Sequence, residues 1–377
     1  MTDNVVKHDL NWIKQQLQAA VELECSTLPI YLSAMYSLEV QSNTAYTAIR
    51  VVVMEEMVHM AIAANILAAL GGSPQIANIQ FAFPVQGLPG DVEPDLYVGL
   101  AQLSRRQLKN FLRIEMPDFL LRQVSRKGAY RTIADFYQEI RKAITENAAD
   151  IRAAVTAGGP ANQVADNIGF RAINKTTDPL PQMLAGIDEI MEQGEGASCG
   201  SMYAGEGSED EASHYNRFAE LYYGASYQAP VPSMELTPAT EASFFKGRKI
   251  PFPKVVNTLA VPSDGYAKIL QLDPNAAAAT TDLKAFDTAY SSILTALHAV
   301  WNGPQAASWK TLGGAVHTMV DMRVLSCFNI LRHQIPADVV NRLADLYGPE
   351  FERLRDYSDL KAPCFYGPRF VNTNTAP

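Results

Sequence analysis

The sequence predicts an all-α protein: a four-helix bundle with a long crossover between its second and third helices, and an additional helical region towards the C-terminus. Three observations predict it. Long runs of apolar residues recur at three- and four-residue steps; polar or glycine-rich connections join these runs in pairs; and acidic and histidine side chains interrupt the apolar stripes.

The first run extends from His8 to about Val40, with Leu10, Ile13, Leu17, Val21, Leu28, Tyr31, Leu32 and Met35 in helical phase. Pro29 inside it predicts a kink. After the short polar break QSNTAY, a second helix is expected from about Thr47 to Leu70, stopped by Gly71-Gly72 and Pro74 and antiparallel to the first. Residues 73–96 are too rich in Pro and Gly for regular structure beyond a short strand. Two helices, about 104–115 and 132–155, follow as an excursion expected to pack over other elements. The third bundle helix is placed at 178–196, where proline lies near the first turn and Leu184, Ile187 and Met191 are in phase. The fourth is placed at 208–224, with a serine cap, an acidic first turn and a terminal glycine. Two antiparallel pairs joined by one long crossover is the wiring of ferritin-like bundles.

The chain has 377 residues, 47% of them apolar and 19% charged, which is ample for a core. Net charge of -9 argues against a nucleic-acid partner, because such binding depends on Lys and Arg displacing counterions. The four cysteines are far apart and form no CxxC pair, which reads as reduced thiols in a cytosolic protein. No run reads as the roughly 20 apolar residues of a membrane helix, so neither a membrane partner nor an export signal is expected.

The chemistry lies where charge interrupts the stripes. The second helix carries Glu56-x-x-His59 and the fourth carries Glu211-x-x-His214; three residues apart on a helix, both side chains of each pair point to one face. In the first helix Glu24 continues the apolar stripe while Glu22 lies off it. In the third, Glu195 follows Ile187 and Met191 on the inner face and Glu192 is turned away. A Glu from each of two helices and an ExxH from each of the other two is the di-iron or di-manganese carboxylate pattern. Buried carboxylates without counter-charge would be costly or would take up protons, and two divalent cations reverse that penalty. The expected ligands are therefore Glu24, Glu56, His59, Glu195, Glu211 and His214, holding two divalent ions. Mixed oxygen and nitrogen ligation suits Fe, Mn or Zn better than Ca or Mg; Fe is the ion expected, with Mn or Zn as alternatives. Glu22, Glu55 and Glu192 are fallback ligands, Tyr31, Tyr215 and Tyr222 are neighbours of the ligand stripes, and Cys25 reads as packing.

Together, AAVELECSTLPIYLSAMYS, VVVMEEMVHMAIAANILAALGG, IDEIMEQGEG and DEASHYNRFAELYYG resemble the ferritin-like domain of the VioB-type, iminophenyl-pyruvate dimer synthase family of bisindole pigment and alkaloid pathways. The resemblance covers roughly Asp9 to Gly224. It implies a ferritin-like bundle and the same six ligands.

Residues 225–377 start with a Pro-rich stretch and continue with helices expected at about 281–301, 311–333 and in PADVVNRLADLYGPEFERLRDY. They carry His298, His317, Asp321 and His333 but no ExxH, and are expected to pack on the bundle, cover the metal site or form a dimer face. The function expected from these residues is that of a dinuclear non-haem metal protein, an oxidase or oxygenase using dioxygen on a small organic molecule. An iron-handling protein, or a metal-stabilised scaffold partnering a biosynthetic enzyme, are the alternatives; a homo-oligomer fits each.

Overall fold

The structure, a computed structural model, describes residues 8–357 except 42, 122–129, 160, 165–168, 195–211 and 229–236, and then residues 362–375. The first two helices form where the apolar phase demands them. α1 spans Leu10–Tyr36, its start capped by Asp9, whose carboxylate accepts from the Trp12 amide at 2.8 Å. It continues through Pro29. α2 spans Thr44–Ala69 behind an Asn43 cap and runs back along α1.

The chain then crosses the length of the bundle. On the way it forms a hairpin of β1 (Val85–Leu88) and β2 (Val92–Val98), paired antiparallel with an irregular register between Gln86 and Leu88. α3 (Arg105–Ile114) starts on a Ser104 cap and ends where Pro117 approaches, since a proline disfavours helix in the residue before it. α4 (Ile133–Glu146) restarts on a Thr132 cap. The single helix expected over 132–155 is divided at Asn147, whose buried amide donates to His8 O at 2.8 Å and to Ala143 O at 2.7 Å; α5 (Ala148–Ala157) follows. α6 (Pro179–Gly194) and α7 (His214–Tyr223) complete the bundle, and α7 closes on Gly224, which adopts the left-handed conformation (φ 75°) of a helix-ending glycine.

Contacts give the direction of each rod. Tyr137 of α4 meets Glu24 in the middle of α1, while Glu139 and Asn147 meet His8 at its start, so α4 runs antiparallel to α1. Arg105 at the start of α3 donates to Tyr222 O at the end of α7, whereas Glu115, at the other end of α3, lies beside His214 at the start of α7. Along descending α2, Gly186 of α6 sits against Ile62, Gln193 meets His59, and His214 meets Glu55 and Glu56. A Cβ on Gly186 would come within 2.9 Å of Ile62, so glycine lets α6 approach that closely. The third rod is thus α3 followed by α4, and the fourth is α6 followed by α7.

This changes one sequence expectation within the predicted all-α bundle. Residues 178–196 were assigned to the third helix, but α6 is the first half of the fourth rod. The excursion expected to overlie the bundle is itself the third rod. The two rear rods are each built from two short helices, and short helices with separate caps look like accessory elements in a sequence.

The C-terminal region joins the same continuous core, which extends from Ile13 to Phe370. Its main elements are α8 (Ala267–Leu272), α9 (Ala276–Asn302) and α10 (Ser308–Val324). The helix expected to reach residue 333 stops at Val324 and passes into a π-helical turn, Leu325–Asn329. Three short helices, α11 (Ala337–Asn341), α12 (Leu343–Tyr347) and α13 (Phe351–Tyr357), and the strand pair β3 (Gln334–Ile335) and β4 (Cys364–Phe365) follow. Asn65 of α2 ties the bundle both to Trp301 of this region and to the crossover. Its Oδ1 accepts from Trp301 Nε1 at 2.9 Å and from Val164 N at 3.0 Å, and its Nδ2 donates to the carbonyls of Val164 and Phe170.

One reading of the composition is corrected. α2 is long and apolar enough to cross a membrane by length and composition, although the sequence was read as holding no such run. The physical reason is position: 72% of that apolar window is buried, because α2 is flanked by α1, α6 and α7 and needs apolar residues nearly all round.

Candidate metal centre

Polar side chains converge beside the end of α3, the last turn of α6 and the start of α7. α1 brings Glu24, Thr27 and Tyr31, at steps of three and four that put them on one face. α2 brings Glu55, Glu56 and His59. Glu115 is the residue that caps the end of α3, Tyr137 comes from α4, Gln193 from the last turn of α6, and His214 is the first residue of α7, behind a Ser213 cap. Glu24, Glu56, His59 and Glu115 are no more than 2% exposed, and His214 is fully buried.

His214 is central to the cluster. Its Nδ1 lies 2.9 Å from Glu56 Oε1 and 3.4 Å from Glu115 Oε2, yet its direction aligns with neither, so this buried nitrogen makes no hydrogen bond. Its Nε2 lies 3.1 Å from Glu55 Oε2; a carboxylate only accepts, so Nε2 carries the proton. His59 repeats the arrangement. Its Nε2 donates to Gln193 Oε1 at 2.8 Å, and its Nδ1 faces Glu24 Oε2 and Glu56 Oε1, each at 3.9 Å. The two rings stack with centroids 5.3 Å apart. Both imidazoles are therefore held from outside through Nε2 and present Nδ1 to the carboxylates, the way a supporting acceptor orients a histidine toward a metal.

The carboxylates are held in the same manner. Tyr137 donates to Glu24 Oε1 at 2.5 Å, Thr27 donates to Glu56 Oε2 at 2.7 Å, and Tyr31 donates to Glu115 Oε1. Each outer oxygen has a hydroxyl partner, and the other faces the imidazoles. Among the described residues, the basic partners of these three carboxylates are the two histidines; no Lys or Arg reaches them.

Electrostatics follow from this shortage of positive charge. Burial raises Glu24 well above the usual carboxylate range, and neighbouring Glu56 adds to the effect. Glu115 is raised for the same two reasons. Burial would also raise Glu56, but His214 beside it, with help from His59 and Thr27, outweighs burial and holds it at about 2. Burial lowers His59 to about 4, against the pull of Glu56. For His214 burial is overcome by Glu115, Glu55 and Glu56, and it is raised well above the ordinary histidine value. The set concentrates negative charge around one buried imidazole. A divalent cation is the species that such a donor set accommodates best: anionic oxygens, neutral nitrogens, and ligand atoms of Glu56, His59 and His214 all within 4.8 Å of one another.

The structure therefore brings together four of the six expected ligands, Glu24, Glu56, His59 and His214. Glu195 and Glu211 lie outside the described residues. Of the fallback residues, Glu55 stands at the rim against His214, Glu22 accepts from Gln18 away from the cluster, and Glu192 is exposed. Tyr31 touches the centre, whereas Tyr215 donates to Glu241 at 2.6 Å on another side of α7. Cys25 packs against Met60. His333 pairs with Asp282, His298 faces the Ile76 amide and Asn302, and His317 and Asp321 are exposed.

Glu115 was not anticipated, yet its signal is in the sequence. Leu108, Phe111, Leu112 and Glu115 fall at steps of three, one and three, so Glu115 extends the buried stripe of α3 just as Glu24 extends that of α1. It supplies a buried glutamate from the third rod, a helix for which the sequence reading offered no other ligand than Glu195. Tyr137 likewise shares the stripe of Ile133, Ile140 and Ile144.

A bundle of four antiparallel rods enclosing buried glutamates and histidines defines the class: a ferritin-like protein with a candidate metal centre. The chain belongs to the family described as Ferritin-like, whose model matches residues 17–223, more than half of its length. Among solved structures it is similar to a ferritin-like protein from Caulobacter vibrioides, with a TM-score of 0.55 and 20% identity, over 84% of this chain and 96% of that one. No curated protein matches.

Proposed function

We propose that this chain binds a pair of divalent metal ions, iron in the first place, and acts as an oxidase or oxygenase on a small organic molecule. The observation that carries the reading is the donor set itself: three buried carboxylates and two imidazoles, with His214 Nδ1 directed among them without a hydrogen bond. Glu24, Glu56, Glu115, His59 and His214 would hold the ions, joined by Glu195 and Glu211 as expected from the sequence. A bound iron pair supplies electrons to dioxygen.

The chain's own residues do the rest. Gln193 and Glu55 keep the two imidazoles turned inward. Tyr31, Thr27 and Tyr137 fix the outer oxygens of the carboxylates. Burial raises Glu24 and Glu115 and so favours their protonated forms, and a cation beside them would favour the ionised ones. The aromatic wall of Tyr31, Phe111 and Phe218, with ring centroids 4.7–5.1 Å apart, keeps water from the side facing α3 and α7. The resemblance to the VioB-type domains supports a place in secondary metabolism, and with it an aromatic amine or amino acid as the substrate to try first.

The test is oxygen consumption by the Fe(II)-loaded chain, with and without such substrates. Uptake that depends on substrate and is lost in Glu56→Ala supports the enzyme. Uptake that depends on iron alone and produces a mineral core supports iron handling. Metal binding with no uptake in either case leaves a metal-stabilised scaffold and refutes the oxidase.

A further inference from the structure

α10 and the π-helical turn that follows it carry an apolar seam on the outside of the molecule. Val316, Val320, Val324 and Phe328 are 51%, 47%, 43% and 61% exposed. Of the nine large apolar side chains exposed among the described residues, five lie between Trp309 and Phe328, so the seam is a local feature and not the general character of the surface. Its inner face is fully engaged: Leu312, Ala315 and Met322 are buried in the core, and Arg323 donates to Tyr46 of α2 at 3.0 Å.

We propose that α10 packs antiparallel against α10 of a second copy of this chain, about a two-fold axis crossing the helix near residues 318–319. The seam is complementary to itself in that register. Val316 packs beside the second copy's Val320, within about 3 Å of its height, and the reverse. Val324 falls opposite Gly313 and Gly314, where a Cβ would find nothing within 4 Å, so a neighbouring helix can approach closely there. Exposed His317 falls beside Asp321 of the other copy, and exposed Lys310 beside Phe328, where an ammonium meets an aromatic face. Each of these pairings occurs twice by symmetry, and none sets like charges against each other. A parallel arrangement would instead place Asp321 against Asp321 and Lys310 against Lys310. From Lys310 to Phe328 the seam is about 27 Å long, a contact one helix wide and at the small end of specific interfaces, so dissociation in the micromolar range is expected. α10 contributes no residue to the candidate metal centre, and the proposal stands apart from it.

Sedimentation equilibrium of the full chain tests this. The mass is expected to rise with concentration towards twice the 41.3 kDa of the chain. Val320→Asp should raise the dissociation constant by at least about 30-fold, the scale of a central interface position, with the far-ultraviolet circular dichroism and thermal transition unchanged because the side chain is exposed. His317→Asp should weaken the dimer by setting two carboxylates together, and adding Asp321→Lys should restore it. A chain that stays monomeric throughout overturns the proposal, and so does a dimer that neither Val320→Asp nor His317→Asp weakens. A monomer that instead sediments with anionic phospholipid vesicles overturns it as well.

Discussion

Replacing Thr27 by valine removes one hydroxyl from the floor of the candidate centre. Thr27 has a single proton and two acceptors within reach, Glu56 Oε2 at 2.7 Å and its own helix's Glu24 carbonyl at 2.9 Å. The carbonyl is already served by the helix ladder, so the substitution chiefly strips Glu56 of a donor. Glu56 is ionised, held at about 2 with His214 and Thr27 among its partners, and only 2% exposed, so water does not replace the lost bond. A hydrogen bond to a buried charge contributes about 1.5–3 kcal/mol, and leaving the acceptor unsatisfied puts the cost towards the upper part of that range. Thr27→Val should therefore destabilise the metal-free chain by about 2–3 kcal/mol in urea unfolding followed by circular dichroism. In a Glu56→Gln background, where the acceptor is neutral, the same change should cost about 1 kcal/mol, and the difference is the coupling energy of the pair. A cost below about 0.5 kcal/mol in both backgrounds would refute the reasoning, because it would mean that Glu56 is either protonated or wet.

Other outcomes follow from the same geometry. Glu55→Gln and Gln193→Leu should each lower metal affinity by about 10–100-fold in chelator competition while leaving the number of ions bound unchanged, since they orient imidazoles without contributing ligand atoms. Metal binding near neutral pH should release protons, measurable with an indicator dye in weak buffer, because Glu24, Glu115 and His214 are all raised; Glu115→Gln should release fewer. In the metal-free chain the raised Glu24 and Glu115 bind protons more tightly than they do unfolded. Their contribution is fully present below pH about 4.5 and is lost as pH rises through their folded values, so Glu115→Gln should flatten this decline in a pH series of urea midpoints. Glu56 acts in the opposite direction, its contribution being present above about 4.5 and lost as pH falls towards about 2. Asn65→Leu removes four hydrogen bonds that tie α2 to Val164, Phe170 and Trp301, and should cost about 3–4 kcal/mol in the same unfolding assay.

The helices were legible in the sequence wherever one rod is one helix. α1 and α2 were bounded to within a few residues because each carries a long apolar stripe and a clear stop, and Glu24, Glu56 and His59 stood out as charges inside those stripes. The rear rods were harder for a definite reason. The third is divided at the level of the charged cluster by Met116-Pro117 after α3, and in the fourth α7 starts afresh on its own Ser213 cap, so no single long stripe marks either. A short helix such as α3 was read as an accessory element, and Glu115 went unnoticed although it obeys the same phase rule as Glu24. Gln193 and Tyr137 could be recognised as supports only after the ligands they touch had been placed, because hydrogen bonds across 113 and 134 residues of chain have no local signature.

If the buried carboxylates and imidazoles between the four rods hold metal, a crystal can show it. Anomalous diffraction at the iron edge from crystals grown with Fe(II) under anaerobic conditions tests it most directly. Two peaks are expected among Glu24, Glu56, Glu115, His59 and His214, each about 2 Å from the Nδ1 of one imidazole and from carboxylate oxygens. A map with no peak in that space, and the Tyr31, Thr27 and Tyr137 hydrogen bonds unchanged around it, would contradict the account.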